Sequence, residues 1–494
     1  MERLMSLIGL FAMVGLAWLM SSHRRNVSLR LVFGGLLLQF MLAVAVLKTD
    51  VGQTVFQAIG DFATHVLGYV EEGSVFVFGT PVEEVPIFVP THDMQFYTAI
   101  SDLSKITQQI IEALEKKSEV AMVVVGSSRR SFDLGAEKWR DELTIFILEA
   151  SERRHNNFQQ MPMSRTFRPL KTFAFGVLPT IVFFSSLMAI LYHVGVMQKI
   201  VVFFAWIMQR TLGTSGAESL SAAANVFVGQ TEAPLVIRPY VGTMTQSELM
   251  AVMVGGFATI AGGVFAAYVQ FGIDASHLIT ASVISAPAAL LIAKVIVPET
   301  EHSKTLGHVE LIVERKNVNV IDAAANGATD GMKLALNVGA MLIAFLALIA
   351  LVDAGLSWTG SWLGYTGESR WTLATALGYI FAPLAWLMGI EVKDCRYAGQ
   401  LLGLKMAANE FVAYFQLSEW LKGGSSVQLS ERTITIITYA LCGFANFSSI
   451  GIQLGGIGGI APQRRSDLAR LGFKAMLGGT LAAFMTACIA GILI

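Results

Sequence analysis

The stretch Asn225-Val-Phe-Val-Gly229-Gln230-Thr231-Glu232-Ala233-Pro234-Leu235 decides how the rest of the chain is read. It sets an amide, a hydroxyl and a carboxylate in the middle of a long apolar region. Burying an ionisable side chain at membrane depth costs about 2.5 kcal/mol or more even on the most lenient scale, so such a group is expected to serve a ligand. Gly229 and Pro234 flank the polar trio and favour a helix break, which frees backbone N–H and C=O groups. Unwound backbone at that depth is tolerated only where it lines a cavity or is buried in protein. The competing reading is a polar loop at a membrane surface, and the apolar flanks on both sides speak against it.

Those flanks belong to a chain of 494 residues, 54% hydrophobic and only 14% charged, with mean hydropathy +0.59. Soluble proteins carry about 25% charged residues. The net charge of -1 offers no electrostatic footprint for nucleic acid. A span needs roughly 20 apolar residues, and such runs lie at 5–21, 30–48, 172–207, 247–271, 277–297, 333–354, 433–460 and 470–494. Segments 215–236, 372–390 and 396–421 are apolar but interrupted, and make poor simple spans. The expectation is an all-α polytopic membrane protein with eight transmembrane helices. The first run lacks a basic leader and a small-residue cleavage site, so it is read as a span rather than a signal peptide. Arg24, Arg25 and Arg30 follow span one, and Arg464, Arg465, Arg470 and Lys474 precede span eight. The positive-inside rule puts both clusters in the cytoplasm and both termini outside. Cys395, Cys442 and Cys488 have neither metal-site nor disulfide spacing and read as buried thiols.

From about Val89 to Arg168 the pattern changes to charged and mixed sequence. Ala99–Glu115 and Glu137–Arg154 read as helices, and Val120–Val125 as a short strand or buried helical turn. In the topology above this segment is an extracytoplasmic insertion without a catalytic signature.

A weak internal repeat links the two halves. Glu232, Thr245-Gln-Ser-Glu248 and Gly256-Phe-Ala-Thr259 are followed by Glu410, Leu429-Ser-Glu431 and Gly443-Phe-Ala-Asn446. The first broken segment starts on the cytoplasmic side and the second outside, as in transporters that build a midplane site from inverted repeats. Within the second copy, Asn409-Glu410-Phe411 again places a carboxylate in apolar surroundings, with Lys405 five residues back and a structural ion pair as the plainer alternative. Phe444, Asn446 and Ser449 share no strict helical face, but a locally unwound span would point all three at a cavity. An aromatic ring, an amide and a hydroxyl suit a ligand with a flat ring and hydroxyl groups; interhelical polar contacts are the alternative. The glycines from Gly451 to Gly459 suit close helix packing, since no phosphate-loop Lys-Ser/Thr follows them. His193 reads as a packed or hydrogen-bonded intramembrane histidine, with a proton relay as the alternative.

A membrane enzyme using the two carboxylates as acid and base is a rival from another class, but no nucleophile–base pair, metal cluster or cofactor loop accompanies them. A channel would favour rings of charge or carbonyls over these asymmetric sets.

Three motifs together resemble the concentrative nucleoside transporter family: Gly229-Gln-Thr-Glu-Ala-Pro-Leu-Val-Ile-Arg-Pro-Tyr240, Asn409-Glu-Phe-Val-Ala-Tyr414 and Cys442-Gly-Phe-Ala-Asn-Phe-Ser-Ser-Ile-Gly451. Phe173-Ala-Phe-Gly-Val-Leu-Pro-Thr-Ile181 and Gly255-Gly-Phe-Ala-Thr-Ile-Ala-Gly262 add support. The resemblance implies eight spans with two re-entrant hairpins in each protomer of a homotrimer in a bacterial inner membrane. It implies that Gln230, Thr231, Glu232 and Phe444 face the nucleobase, and that Glu410, Asn446 and Ser449 bind the ribose hydroxyls. It places Na⁺ at Asn225, Val228, Thr259 and Ile260; some members use protons, so H⁺ coupling is the alternative. The expected organisation is 1–88 for the first spans and an interfacial helix, 89–170 for the insertion, 171–330 for a first transport repeat and 331–494 for a second. The insertion departs from the much shorter link of typical bacterial relatives, and a solvated decoration of the trimer is favoured over a binding platform.

Overall fold

The computed structural model describes residues 2–70, 73–74, 84–89, 94–99, 103–114, 120–125, 128–134, 138–160, 177–305, 317–362, 364–365, 371–421 and 427–494. The chain divides into two compact units, one formed by 1–67 with 177–494 and one by 68–176.

The first unit is helical. It opens with α1 (Glu2–Leu19), α2 (Leu29–Leu47) and α3 (Asp50–Gly68). The second unit carries a sheet, which the helical expectation for the spans did not include. Strands β1 (Glu84–Val89) and β2 (Met94–Ala99), helix α4 (Leu103–Leu114), strands β3 (Val120–Val125) and β4 (Ser128–Asp133) and helix α5 (Trp139–Gln160) follow in order. The four strands form one antiparallel sheet in the order β2-β1-β3-β4. Val120–Val125 is therefore a strand, and the two expected helices appear at 103–114 and 139–160. The insertion expected at 89–170 falls inside this unit; Phe173 to Gly176 of the quoted upstream motif lie outside the described residues.

The first unit resumes with α6 (Leu178–Val194) and α7 (Val196–Leu212). The apolar run expected as one span at 172–207 is bent by 78° between them. Gly195 makes the corner: its φ of 89° is open to glycine and strained for most other residues. Then come α8 (Gly216–Asn225), a short 3-10 turn (Ala233–Ile237) running into α9 (Arg238–Val241), α10 (Gln246–Ala258), α11 (Gly262–Gln270) and α12 (Ala275–Ile296). The same order recurs: α13 (Val320–Trp362), α14 (Leu373–Leu387), α15 (Val392–Ala407), α16 (Glu410–Leu421), α17 (Glu431–Leu441), α18 (Phe447–Ile460) and α19 (Arg465–Leu493). Each half contains two helix pairs separated by short breaks, α8–α9 and α10–α11 in the first and α15–α16 and α17–α18 in the second, and closes on a long helix.

Among the described residues, six helices are long and apolar enough to cross a membrane, or up to eight if each bent pair counts as one span. Their environments differ sharply. In α12, α19 and the α10–α11 pair the apolar windows are 94%, 89% and 83% buried, whereas in α13 the figure is 6%. Helix α19 packs against α1, α10, α12 and α17 and is the hub of the core. Helix α13 lies along α6 through a row of small buried residues, Ala323, Gly327, Gly331 and Ala335, spaced four apart. A Cβ on Gly327 or Gly331 would meet the α6 backbone at Ser185 or Val182, so the small side chains set the close approach of the two helices.

Local caps fix where the broken pairs begin. Ser215 with Glu218 and Thr245 with Glu248 form capping boxes at the starts of α8 and α10, and Ser430 caps α17. The Thr245–Glu248 and Ser430–Glu431 repeat markers are thus helix-start signals. Lys294 near the end of α12 bonds Glu218 at 2.8 Å, Glu299 at 3.1 Å and the Ser247 hydroxyl at 3.0 Å. This buried cluster ties the start of α8 to α10 and α12, and burial without such partners would cost several kcal/mol. The three cysteines are free and buried, as expected.

Candidate functional site

The helix predicted to break around Gly229 does so. Helix α8 ends at Asn225, the chain turns through 226–232, and Ala233 begins the 3-10 turn with Pro234 in its first positions. Opposite it, α15 ends at Ala407 and α16 starts at Glu410, so the second hairpin breaks only at Ala408 and Asn409. Both spans that follow are broken as well, α10 from α11 at 259–261 and α17 from α18 at 442–446. The last two breaks touch: the Phe444 N–H donates to the Thr259 carbonyl at 3.3 Å. Gly443 permits that crossing, because its φ is 149° and a Cβ there would stand 2.7 Å from the Phe257 carbonyl oxygen.

These breaks converge on a cavity of about 1030 Å³. Gln230, Thr231, Glu232, Glu410, Phe444, Asn446 and Ser449, all seven of the residues expected to touch substrate, line it. His193, Asp330, Lys333 and Arg238 are also in its wall.

The carboxylate of Glu410 is buried and held at both oxygens. Tyr268 on α11 donates its hydroxyl to Oε1 at 2.9 Å, and Asn446 donates Nδ2 to Oε2 at 3.1 Å. The alternative of a direct ion pair with Lys405 is not what forms: the Lys405 ammonium donates to the Ala440 carbonyl at 2.8 Å. Asn446 does two further jobs. Its Oδ1 accepts from the Ser449 N–H at 2.9 Å and the Ser448 hydroxyl at 2.8 Å, which caps α18 and fixes the amide with its nitrogen toward Glu410. Asn409 caps α16 in the same manner through the Val412 N–H at 2.9 Å. Tyr268 is held by aromatic neighbours, Tyr414 at 4.4 Å and Phe411 at 5.5 Å between ring centres.

The expected cation residues occupy the first repeat's two breaks. Asn225 is fully buried; its Nδ2 donates to the Ser221 carbonyl at 3.0 Å, while its Oδ1 is buried with no hydrogen-bond donor among the described residues. Thr259 is buried and donates its hydroxyl to the Gly255 carbonyl at 3.0 Å, which leaves that oxygen's lone pairs to accept. Val228 lies in the unwound turn and lines the cavity, and Ile260 sits buried in the break after α10. A buried oxygen without a donor is expensive, and hard oxygen donors from unwound helix suit an alkali cation.

Two contributors were missed in the sequence. Tyr268 reads as one aromatic residue in an apolar span, and Gln453 sits among glycines assigned to packing. Both reach partners far along the chain, Tyr268 to Glu410 and Gln453 to Gln230. A polar residue in an apolar run was the only available signal for either.

Comparison with known proteins shows the family. Residues 277–491 match the Na⁺ dependent nucleoside transporter C-terminus, 8–81 match the N-terminus of the same family, and 174–275 match a nucleoside recognition (gate) domain. The segment between 81 and 174, which includes the sheet, lies between those matches. An uncharacterised transporter of Haemophilus influenzae is 42% identical over 495 residues, covering 100% of this chain and 98% of the relative. The sodium/nucleoside cotransporter 1 of Mus musculus is 39% identical over 504 residues, and the match covers 100% of this chain but 64% of the mouse protein's length. Among solved structures, CNTnw in an inward-facing substrate-bound state superimposes with a TM-score of 0.77 at 39% identity, covering 100% of this chain and 98% of that one. A CNTnw variant in an outward-facing state gives 0.76 at 38% identity. These relatives are transporters rather than enzymes. A fold with broken helix pairs around one polar cavity, and matches along both repeats, lead to one conclusion: the chain belongs to the Na⁺-dependent, concentrative nucleoside transporter family.

Proposed function

We propose that this protein is a sodium-coupled symporter that imports nucleosides such as uridine across a bacterial inner membrane by alternating access. The observation that carries the reading is the convergence of Gln230, Thr231, Glu232 and Phe444 with Glu410, Asn446 and Ser449 on one cavity. The first group offers an amide, a hydroxyl, a carboxylate and an aromatic ring to a nucleobase. The second offers a carboxylate already oriented by two donors, together with hydroxyl and amide groups, to the ribose. Charge-assisted hydrogen bonds to a carboxylate are the strong kind, and two vicinal hydroxyls can share one. Na⁺ would be carried with the nucleoside, held by side-chain oxygens of Asn225 and Thr259 and carbonyl oxygens of Val228 and Ile260.

Ordering the first break around the cation would set Gln230, Thr231 and Glu232 for the base, and so couple the two cargoes. The substrate-bearing core would move against a scaffold in which exposed α13 contributes to the centre of a homotrimer. In chain terms, 1–88 would supply scaffold and interfacial helix, 171–330 and 331–494 the two repeats, and the 89–170 insertion a decoration outside the membrane.

The test is uptake of radiolabelled uridine into proteoliposomes with and without an inward sodium gradient. Accumulation that requires sodium is the expected outcome. Accumulation that follows only a pH gradient would replace the cation with H⁺, and no saturable uptake of any nucleoside would overturn the substrate class.

A further inference from the structure

Gln453 on α18 is fully buried, and its amide nitrogen makes two hydrogen bonds of 3.0 Å, one to the Met253 main-chain carbonyl and one to Oε1 of Gln230. A main-chain carbonyl can only accept, so the end of the Gln453 amide that faces Met253 must be its N–H₂. The second hydrogen on that nitrogen then points at Gln230, which has to answer with its carbonyl oxygen. The Oε1 atom of Gln453 itself is buried without a donor among the described residues. A reversed amide would set that oxygen 3.0 Å from the Met253 carbonyl oxygen, which is repulsive. The direction of the chain Met253–Gln453–Gln230 is therefore set from the α10 backbone outward. It leaves the Gln230 N–H₂ as the group offered to the cavity that Gln230 lines. Gly256 makes the room: a Cβ there would stand 2.7 Å from Nε2 of Gln453 and 2.8 Å from Cβ of Gln230.

We propose that Gln453 is a positioning residue for substrate discrimination. By fixing the Gln230 amide as a donor, it makes the transporter favour a nucleobase with a carbonyl oxygen at the edge Gln230 meets over one with an amino group there. This rests on the reading of Gln230 as a base contact. Uridine and cytidine test it, because they are of one size and differ at that edge. In proteoliposomes the wild type is expected to show a KM about fivefold lower for uridine than for cytidine, since a site built to donate leaves an amino group without an acceptor.

Gln453→Met keeps the length but not the polarity, so Gln230 can turn over, and the ratio should fall to about twofold or less. Gly256→Ala displaces both amides by a different route, at a helical position where alanine is the better former. It should lower the ratio in the same way, and it keeps the test alive if Gln453→Met does not reach the membrane. The sodium concentration for half-maximal uptake should stay the same in both, which a general loosening of the fold would not allow. A uridine-to-cytidine ratio unchanged in both variants, or a wild type that favours cytidine, overturns the proposal while leaving nucleoside transport intact. A wild type with no nucleoside uptake removes the site reading on which it stands.

Discussion

The two halves of the site are built from the same order of elements, but the surroundings of Glu410 and of Asn225 differ in hydrogen-bond satisfaction. In the second half the groups around Glu410 are answered, Glu410 by Tyr268 and Asn446, and Asn446 and Asn409 by the helix starts they cap, whereas Gln453 Oε1 on α18 is buried without a donor among the described residues. In the first half, two oxygens are left over among the described residues: Asn225 Oδ1 and Ser221 Oγ are buried there without hydrogen-bond partners, and the Glu232 side chain is exposed at the cavity. A satisfied network is rigid and presents a fixed shape, whereas an unsatisfied one is costly until something binds. The second half thus suits a preformed grip on ribose, and the first suits an element that a cation completes.

The sharpest way to break this comparison is to remove the centre of the satisfied half. Glu410→Ala takes away the acceptor and leaves the Tyr268 hydroxyl and the Asn446 amide facing each other across a hole. Two hydrogen bonds to a charged group are each worth ~1.5–3 kcal/mol, so uridine uptake should fall by about 100-fold or more. Membrane insertion of the variant, read by its yield in detergent extracts, should be normal. Undiminished accumulation would sink the ribose assignment.

Next in size is the unsatisfied half. Asn225→Ala removes the orphaned oxygen, and the sodium concentration for half-maximal uptake should rise about 30-fold, by analogy with loss of one charge–dipole contact. At saturating sodium the order of preferred nucleosides should be unchanged. A variant with altered base preference and normal sodium dependence would reverse the roles of the two regions.

A smaller effect is expected from Tyr268→Phe, which deletes one of the two donors to Glu410 while keeping the ring contacts with Tyr414 and Phe411. The carboxylate retains Asn446, so the KM for uridine should rise about tenfold with little change in sodium dependence. An unaltered KM would mean that Tyr268 serves packing alone.

What could be read in advance follows from the same contrast. A carboxylate, amide or hydroxyl in an apolar run is conspicuous because a bilayer makes it so expensive, and this is why Gln230, Glu232, Glu410 and Asn446 stood out. The helix breaks were legible at Gly229, Pro234 and Gly443, where residue type constrains the backbone. The corner at Gly195 was not, since an apolar run gives length without direction, and 172–207 looked continuous. Tyr268 and Gln453 were hidden for a further reason: their roles depend on partners 142 and 223 residues away, and no local pattern carries that information. The sheet in the second unit was only partly legible because its strands are six residues each and three of them lack a clean apolar run.

The smallest expected effect probes where the two halves meet. Gln230 belongs to the unwound turn of the first repeat but is anchored by Gln453 of the second, so it stands on the border between the region proposed for the cation and the region proposed for the ribose. If its side chain serves the base, Gln230→Ala should change the ratio of uptake among nucleosides by about threefold, the effect of one neutral hydrogen bond in a wet cavity. It should leave the sodium concentration for half-maximal uptake within error of the wild type. The opposite pattern, an altered sodium response with an unchanged nucleoside order, would move Gln230 to the ion site. The coupling between the cargoes would then run through this side chain rather than through the backbone of the turn.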